Sequence, residues 1–232
     1  MMPKPTEHSE TTFETAELRR LLSLFLDQQV VVEATGESIR LGNFLCGVYA
    51  FFDYDNEPIY VGQTKEKLGV RVQRHLTNQR TDAVAMKVLD PFEVYKIMVW
   101  PIQKFQVAAK PGAEATKYLN WLEYTIFQEF LGKSQFKAVL NEKDPMEVPN
   151  EGFDVPDSYD GIVVSDAVYE LRSHPDTRLA RRAETLSLLA KVISERQVQP
   201  GLRKTLLTQA MRIVALSEKR LGDFLGNPPD GT

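Results

Sequence analysis

The residues that phosphate chemistry needs occur in this chain in a fixed order. Gly47-Val48-Tyr49 is followed, after ten residues, by Tyr60-Val61-Gly62. Arg71 stands eleven residues after Tyr60, His75 four after that, and Glu123 much later. Arg71 offers a planar, permanently charged fork that suits a phosphate. Tyrosine can give or take a proton, and histidine is the side chain that titrates nearest neutrality. One carboxylate, Glu123, can hold a hard cation that keeps most of its waters. Together these are the parts for phosphodiester hydrolysis: a proton acceptor, a phosphate clamp and one metal. Plainer roles compete. Both tyrosines would suit the core of a hairpin, Arg74 and Glu129 are rivals of Arg71 and Glu123, and His75 could be a hydrogen-bonded structural group.

The elements that must position these residues are readable from pattern. Val48–Phe52 reads as a strand rich in aromatic and small apolar residues, residues 53–58 as a turn, and Ile59–Val61 as a second strand, so a hairpin is expected. Its two tyrosines can face the same side of a small sheet. A helix over 64–76, with Thr64 as N-cap, puts Arg71 and His75 one turn apart on one face. A short helix is expected over 82–89, a third strand over 92–102, and an amphipathic helix carrying Glu123 over 115–131. Before the hairpin, the apolar spacing from Phe13 to Phe25 predicts a helix over 13–28. After the core, residues 142–160 hold three prolines and seven acidic groups with no period, and read as a linker. Three helices follow over 165–173, 176–196 and 202–225, separated by Pro175 and Pro200-Gly201.

Composition narrows the class. The chain has 232 residues, 43% hydrophobic and 26% charged, enough for a packed core and against global disorder. Its longest apolar run, Phe44–Phe52, is far below the roughly 20 residues a membrane span needs. The N-terminus has no apolar signal core, which argues for a cytoplasmic protein. Cys46 is the single cysteine, excluding an internal disulfide and a cysteine-rich zinc site, and it reads as a small buried apolar group. Only His8, His75 and His174 could serve a histidine cage. The net charge of −4 hides an asymmetry: residues 142–176 carry −8 and residues 177–220 carry +7. Arg178, Arg181 and Arg182 fall on one helical face, which reads as a DNA-binding surface on a basic arm; the alternative pairs these arginines with the acidic 142–176 segment.

The ordered set resembles the GIY-YIG endonuclease family over about residues 43–141, in the form of its standalone bacterial members. Gly47-Val48-Tyr49 and Tyr60-Val61-Gly62 stand for the two tripeptides, Arg71-x-x-x-His75 for the helix pair, and Glu123, following Trp121-Leu122, for the metal ligand. Asn141 looks like the asparagine that terminates the core. The resemblance implies an α+β fold, a small three-stranded antiparallel sheet flanked by helices. Around it lie an N-terminal tail and helix (1–42), the acidic linker (142–160) and a helical C-terminal arm (161–232). It also implies one Mg²⁺ or Mn²⁺, DNA as partner, and cleavage to a 3′-hydroxyl and a 5′-phosphate. Tyr49 is the base by analogy, though sheet geometry could exchange the roles of Tyr49 and Tyr60. Double-strand cutting would suggest a homodimer. Two features depart from the family pattern: 18 positions separate Glu123 from Asn141, and Gln63 follows Gly62 where repair-type members carry lysine. A restriction, defence or repair role is expected; the alternative is a nuclease-like module that holds DNA or a protein without cutting.

Overall fold

The computed structural model describes residues 9–77, 89–105, 112–141, 143–195, 197–198 and 200–226. Its elements in chain order are α1 (Ser9–Leu26), β1 (Gln29–Val31), β2 (Ser38–Arg40), β3 (Gly47–Phe52), β4 (Pro58–Thr64), α2 (Leu68–Thr77), β5 (Lys96–Pro101), α3 (Ala113–Lys133), β6 (Tyr159–Ile162), α4 (Asp166–Arg172), α5 (Pro175–Glu195) and α6 (Pro200–Gly226). The helix expected over 82–89 falls almost wholly outside the described residues.

The central strand is β3, buried along all six residues. It pairs antiparallel with β4 on one side and β5 on the other, and β6 joins beyond β5, giving the order β4-β3-β5-β6. Successive side chains point to opposite faces of a strand, and here both faces are covered. Tyr49, Phe51, Ile97 and Val99 pack with Leu22 and Phe25 of α1, Leu68 and Val72 of α2, and Leu189 of α5. Val48, Ala50, Val61 and Trp100 pack with Leu119, Leu122, Ile126 and Phe127 of α3. A strand buried on both faces reads as a continuous apolar run, which is why Val48–Phe52 was recognisable without alternation.

The expected three-stranded sheet is corrected to four strands. Tyr159–Ile162 pairs with β5 in the register Lys96↔Ile162 to Val99↔Tyr159. The segment read as a linker therefore runs into the sheet at Tyr159. Its four residues, Tyr-Asp-Gly-Ile, alternate between half-buried and exposed at the sheet edge and show no apolar run. The helix after β4 begins at Leu68, not at residue 64. Thr64 instead closes a local turn, its Oγ1 accepting from the Glu66 amide at 3.1 Å. The small hairpin β1–β2, with Gly36 at φ 70, is an element the pattern of residues did not announce.

The hairpin turn Asp53–Glu57 ties the sheet to the helices. The Asp53 amide donates to the Glu57 carbonyl at 3.0 Å and Asn56 takes the left-handed conformation, φ 58, that short polar side chains tolerate. Asp53 Oδ1 accepts from the amides of Asp55 and Glu57 at 2.9 and 3.0 Å. Its Oδ2 accepts from Arg212 at 2.6 Å, Arg182 at 2.9 Å and Arg178 at 3.4 Å. Glu93 takes Arg182 at 2.8 Å and Asp55 takes Arg178 at 2.6 Å. Three arginines from α5 and α6 thus close on three carboxylates of the core.

Removing one member of such a cluster leaves buried opposite charge uncompensated, at a cost of about 3–5 kcal/mol. Asp53→Ala is expected to lower stability by that order in equilibrium urea unfolding. Arg40→Ala, which breaks the exposed Arg40–Asp27 pair, should change it by no more than about 1 kcal/mol.

Candidate active site

The Tyr49 hydroxyl is the hub of the site. Arg71 Nε donates to it at 3.2 Å, and His75 Nδ1 lies 3.3 Å away. The Tyr60 ring stacks beside it, centroids 6.0 Å apart, and also meets His75 edge-on at 4.5 Å. Helical spacing brings Arg71 and His75 of α2 to the same hydroxyl, while strand register makes the two tyrosines diagonal neighbours: Tyr49 pairs with Gly62 and Tyr60 with Phe51. Arg74, the rival of Arg71, turns to Glu66 instead.

Two glycines of the tripeptides are explained by close approach. A Cβ on Gly62 would stand 2.9 Å from Tyr49 Cζ and 2.7 Å from Tyr60 Cε1, so only glycine lets both rings lie over the strand. A Cβ on Gly47 would stand 2.6 Å from the Trp100 carbonyl oxygen on β5.

Burial sets the charge states. Tyr49 has no exposed surface, and burial pushes its hydroxyl pKa up against the pull of Arg71. Burial drives Tyr60 well above the ordinary tyrosine value. For His75, burial and then the Arg71 charge lower the pKa to about 4, so its ring is neutral at physiological pH. Its Nε2 is buried without a partner among the described residues.

Glu123 reaches the site around the β4 edge. Gln63 Nε2 donates to Glu123 Oε2 at 2.9 Å and to Asn120 Oδ1 at 2.8 Å, with Asn120 one turn earlier on α3. Burial raises the Glu123 pKa, and hydrogen bonds from Gln63 oppose the rise. Glu129 is taken up by Lys133 at the surface. Glu123 lines a cleft of about 250 Å³ with Gln63, Asn120 and residues of the 143–148 segment. Gln63 Oε1 is buried and, among the described residues, lacks a hydrogen-bond partner. An uncompensated carboxylate beside an orphaned amide oxygen is a hard-oxygen donor set, which fits a cation that retains waters. Among the described residues no three His, Cys, Asp or Glu gather around a common point, so this set, not a multi-carboxylate cage, is where such an ion fits.

The remaining expected residues divide. Asn141 pairs with the outer edge of β4, its Nδ2 donating to the Val61 carbonyl at 2.8 Å and its Oδ1 accepting from the Val61 amide at 3.2 Å. It closes the core by imitating a neighbouring strand, beside the Leu140 amide on the Ile59 carbonyl. Arg178 and Arg182 are corrected. They are 3% and 4% exposed and committed to the Asp53 cluster, so the structure places them inside, not on a surface open to DNA. Arg181 holds Asp90 through two hydrogen bonds of 2.8 and 3.0 Å. The arginine face reads as cationic in sequence because its acidic partners lie on the hairpin and before β5, 85 to 129 residues away. Asn120 and Lys143 are site residues that pattern alone missed; the only signal for Asn120 is its place three residues before Glu123.

The depressed His75 pKa makes stability depend on pH. The unfolded chain binds a proton near pH 6.5 that the folded chain refuses until about pH 4. This contribution is complete above pH 6.5 and is lost as pH falls toward 4. In His75→Gln the fall in stability across that window should shrink by up to about 1.4 kcal/mol per pH unit, one proton's worth. Urea unfolding of both proteins at a series of pH values measures it; identical slopes would mean that His75 is not the group refusing the proton.

Residues 45–110 match the family described as GIY-YIG catalytic domain. That span includes Tyr49, Tyr60, Arg71 and His75, and ends before Glu123 and Asn141, which the structure brings to the same sheet edge through Gln63 and Val61. No curated protein and no solved structure matches the chain. No helix among the described residues is long and apolar enough to cross a membrane. The matched segment is the part of the chain that folds around the two tripeptides and their tyrosine hub, so residues 45–110 are similar to a GIY-YIG catalytic domain in both sequence and arrangement.

Proposed function

We propose that this protein is a divalent-metal-dependent DNA endonuclease that hydrolyses a phosphodiester bond to 3′-hydroxyl and 5′-phosphate ends, in restriction, defence or repair. The observation that carries the reading is the Tyr49 hydroxyl, held between Arg71 Nε and His75 Nδ1 with the Tyr60 ring stacked beside it. A structural aromatic pair has no use for that convergence.

Each side chain then has a role. Arg71 commits Nε to Tyr49, and among the described residues no other hydrogen bond engages its terminal nitrogens, which are left for a non-bridging phosphate oxygen. There it offsets charge that grows in the transition state. Tyr60, the more exposed of the two tyrosines, meets the attacking water. Burial makes a free tyrosinate costly at either position. A relay avoids it: water to Tyr60, Tyr60 to Tyr49, Tyr49 to neutral His75. The arriving phosphate also offsets Arg71, one of the two influences holding His75 down, so the acceptor gains basicity when substrate is present. Mg²⁺ or Mn²⁺ at Glu123, Gln63 and Asn120 would supply positive charge to the phosphate and the departing 3′-oxygen. One such centre per chain cuts one strand, so breaking a duplex takes two copies or two successive nicks.

Supercoiled plasmid incubated with Mg²⁺ or Mn²⁺ tests the proposal. Nicking should appear, vanish with EDTA, and be lost in Glu123→Ala while DNA binding persists. Full cleavage by Glu123→Ala would move the metal ligand elsewhere, and no nicking by the unmodified protein would favour a module that binds without cutting. Arg71→Ala should lose about two to three decades of rate, with Arg74→Ala close to unmodified protein; the reverse ranking would show Arg74 to be the clamp.

A further inference from the structure

We propose that residues 143–148 form the wall along which the DNA strand lies, with Lys143 binding a phosphate next to the scissile one; this rests on the nuclease reading above. The Glu123 cleft has two sides. Gln63, Asn120 and Glu123 make one, and the segment from Lys143 to Val148 makes the other. The second side lies beyond the matched domain and inside the stretch whose charge reads as strongly acidic.

Three observations make this wall a binding surface. The first is its fixed position. Asn141 is bonded to Val61 through its side chain, and its carbonyl accepts from Thr205 Oγ1 of α6 at 3.2 Å. One residue past Lys143, Lys204 of α6 binds Asp144 at 2.7 Å. The second is the charge this leaves. Asp144 is occupied by Lys204, and among the described residues no ion pair engages Lys143, which is exposed at the cleft. A lysine presented beside a carboxylate that suits a cation fits a ligand that is anionic and metal-bridged, as a phosphodiester is. The third is Met146, 72% exposed at the same rim. An apolar side chain there gains by covering a sugar or a base face, which a nucleic-acid strand presents beside each phosphate. A strand between Arg71 on α2 and Lys143 on the wall is gripped on both sides of the reacting bond.

Fluorescence anisotropy of a labelled duplex, in EDTA so that nothing is cut, tests this across about 50–200 mM salt. Lys143→Ala should weaken binding several-fold and reduce the slope of log affinity against log salt by about one, the loss of a single phosphate contact. Lys143→Arg should restore the slope. Met146→Ala should weaken binding with the slope unchanged. Lys191→Ala, removing an exposed α5 cation, should leave the affinity as it was. An unchanged slope and affinity in Lys143→Ala, with normal salt-dependent binding by the unmodified protein, overturns the wall and leaves the nuclease reading intact. Absence of DNA binding by the unmodified protein overturns the nuclease reading itself, and the wall with it.

Discussion

The turn from Asp53 to Glu57 is the constraint on which the other parts depend. It sets the register of β3 against β4, and so the diagonal contact of Tyr49 with Tyr60. Glu57 reaches the far end of α3, accepting from the Ser134 hydroxyl and, at 3.3 Å, from the Gln135 amide. That fixes the helix carrying Asn120 and Glu123. Asp53 collects Arg178, Arg182 and Arg212, which seats α5 and α6. α6 in turn holds Asn141 and Asp144, the start of the cleft's second side. Five residues of turn thereby connect the tyrosine pair, the Glu123 carboxylate and the second side of its cleft.

The same turn explains why the C-terminal helices are not a free arm. Buried charge is costly unless paired and hydrogen-bonded. Here three buried arginines meet two buried carboxylates, Asp53 and Glu93, and the more exposed Asp55, so the matching is demanding. Hydrophobic contact alone would allow α5 and α6 to slide; Leu189, Ile193 and Leu202 supply that contact. The ion cluster selects one seat, a use of buried charge as registration rather than as a source of stability. Much of the positive charge of residues 177–220 is consumed internally in this way. Nearer the site, Arg71 and Lys143 are cations that no ion pair engages among the described residues.

What was legible in the sequence follows from how locally each feature is encoded. The hairpin was legible because its turn residues and its apolar strands are adjacent. Arg71 and His75 were legible as a pair because four residues make one helical turn. Glu123 was distinguishable from Glu129 by its neighbours, and the structure separates them the same way: one faces Gln63, the other Lys133. β6 was hidden because an edge strand of Tyr-Asp-Gly-Ile carries neither apolar alternation nor a run. The inward turn of Arg178 and Arg182 was hidden because its cause lies at Asp53 and Glu93, 85 residues or more away. Periodicity reports which residues share a helical face; it does not report what that face meets.

The site has two layers, and the division decides how it can work. Tyr49 and His75 form the inner one. Tyr49 has no exposed surface and His75 keeps only a neutral ring there, so neither meets bulk water as a free acid or base. Tyr60, Arg71, Glu123 and Lys143 form the outer one, where a substrate can arrive. The two layers meet at the stacked rings of Tyr60 and Tyr49. Arg71 belongs to both, with Nε on Tyr49 and a charge felt at His75 and at Glu123. Neutralising its charge from outside is felt inside, at His75, through that one guanidinium.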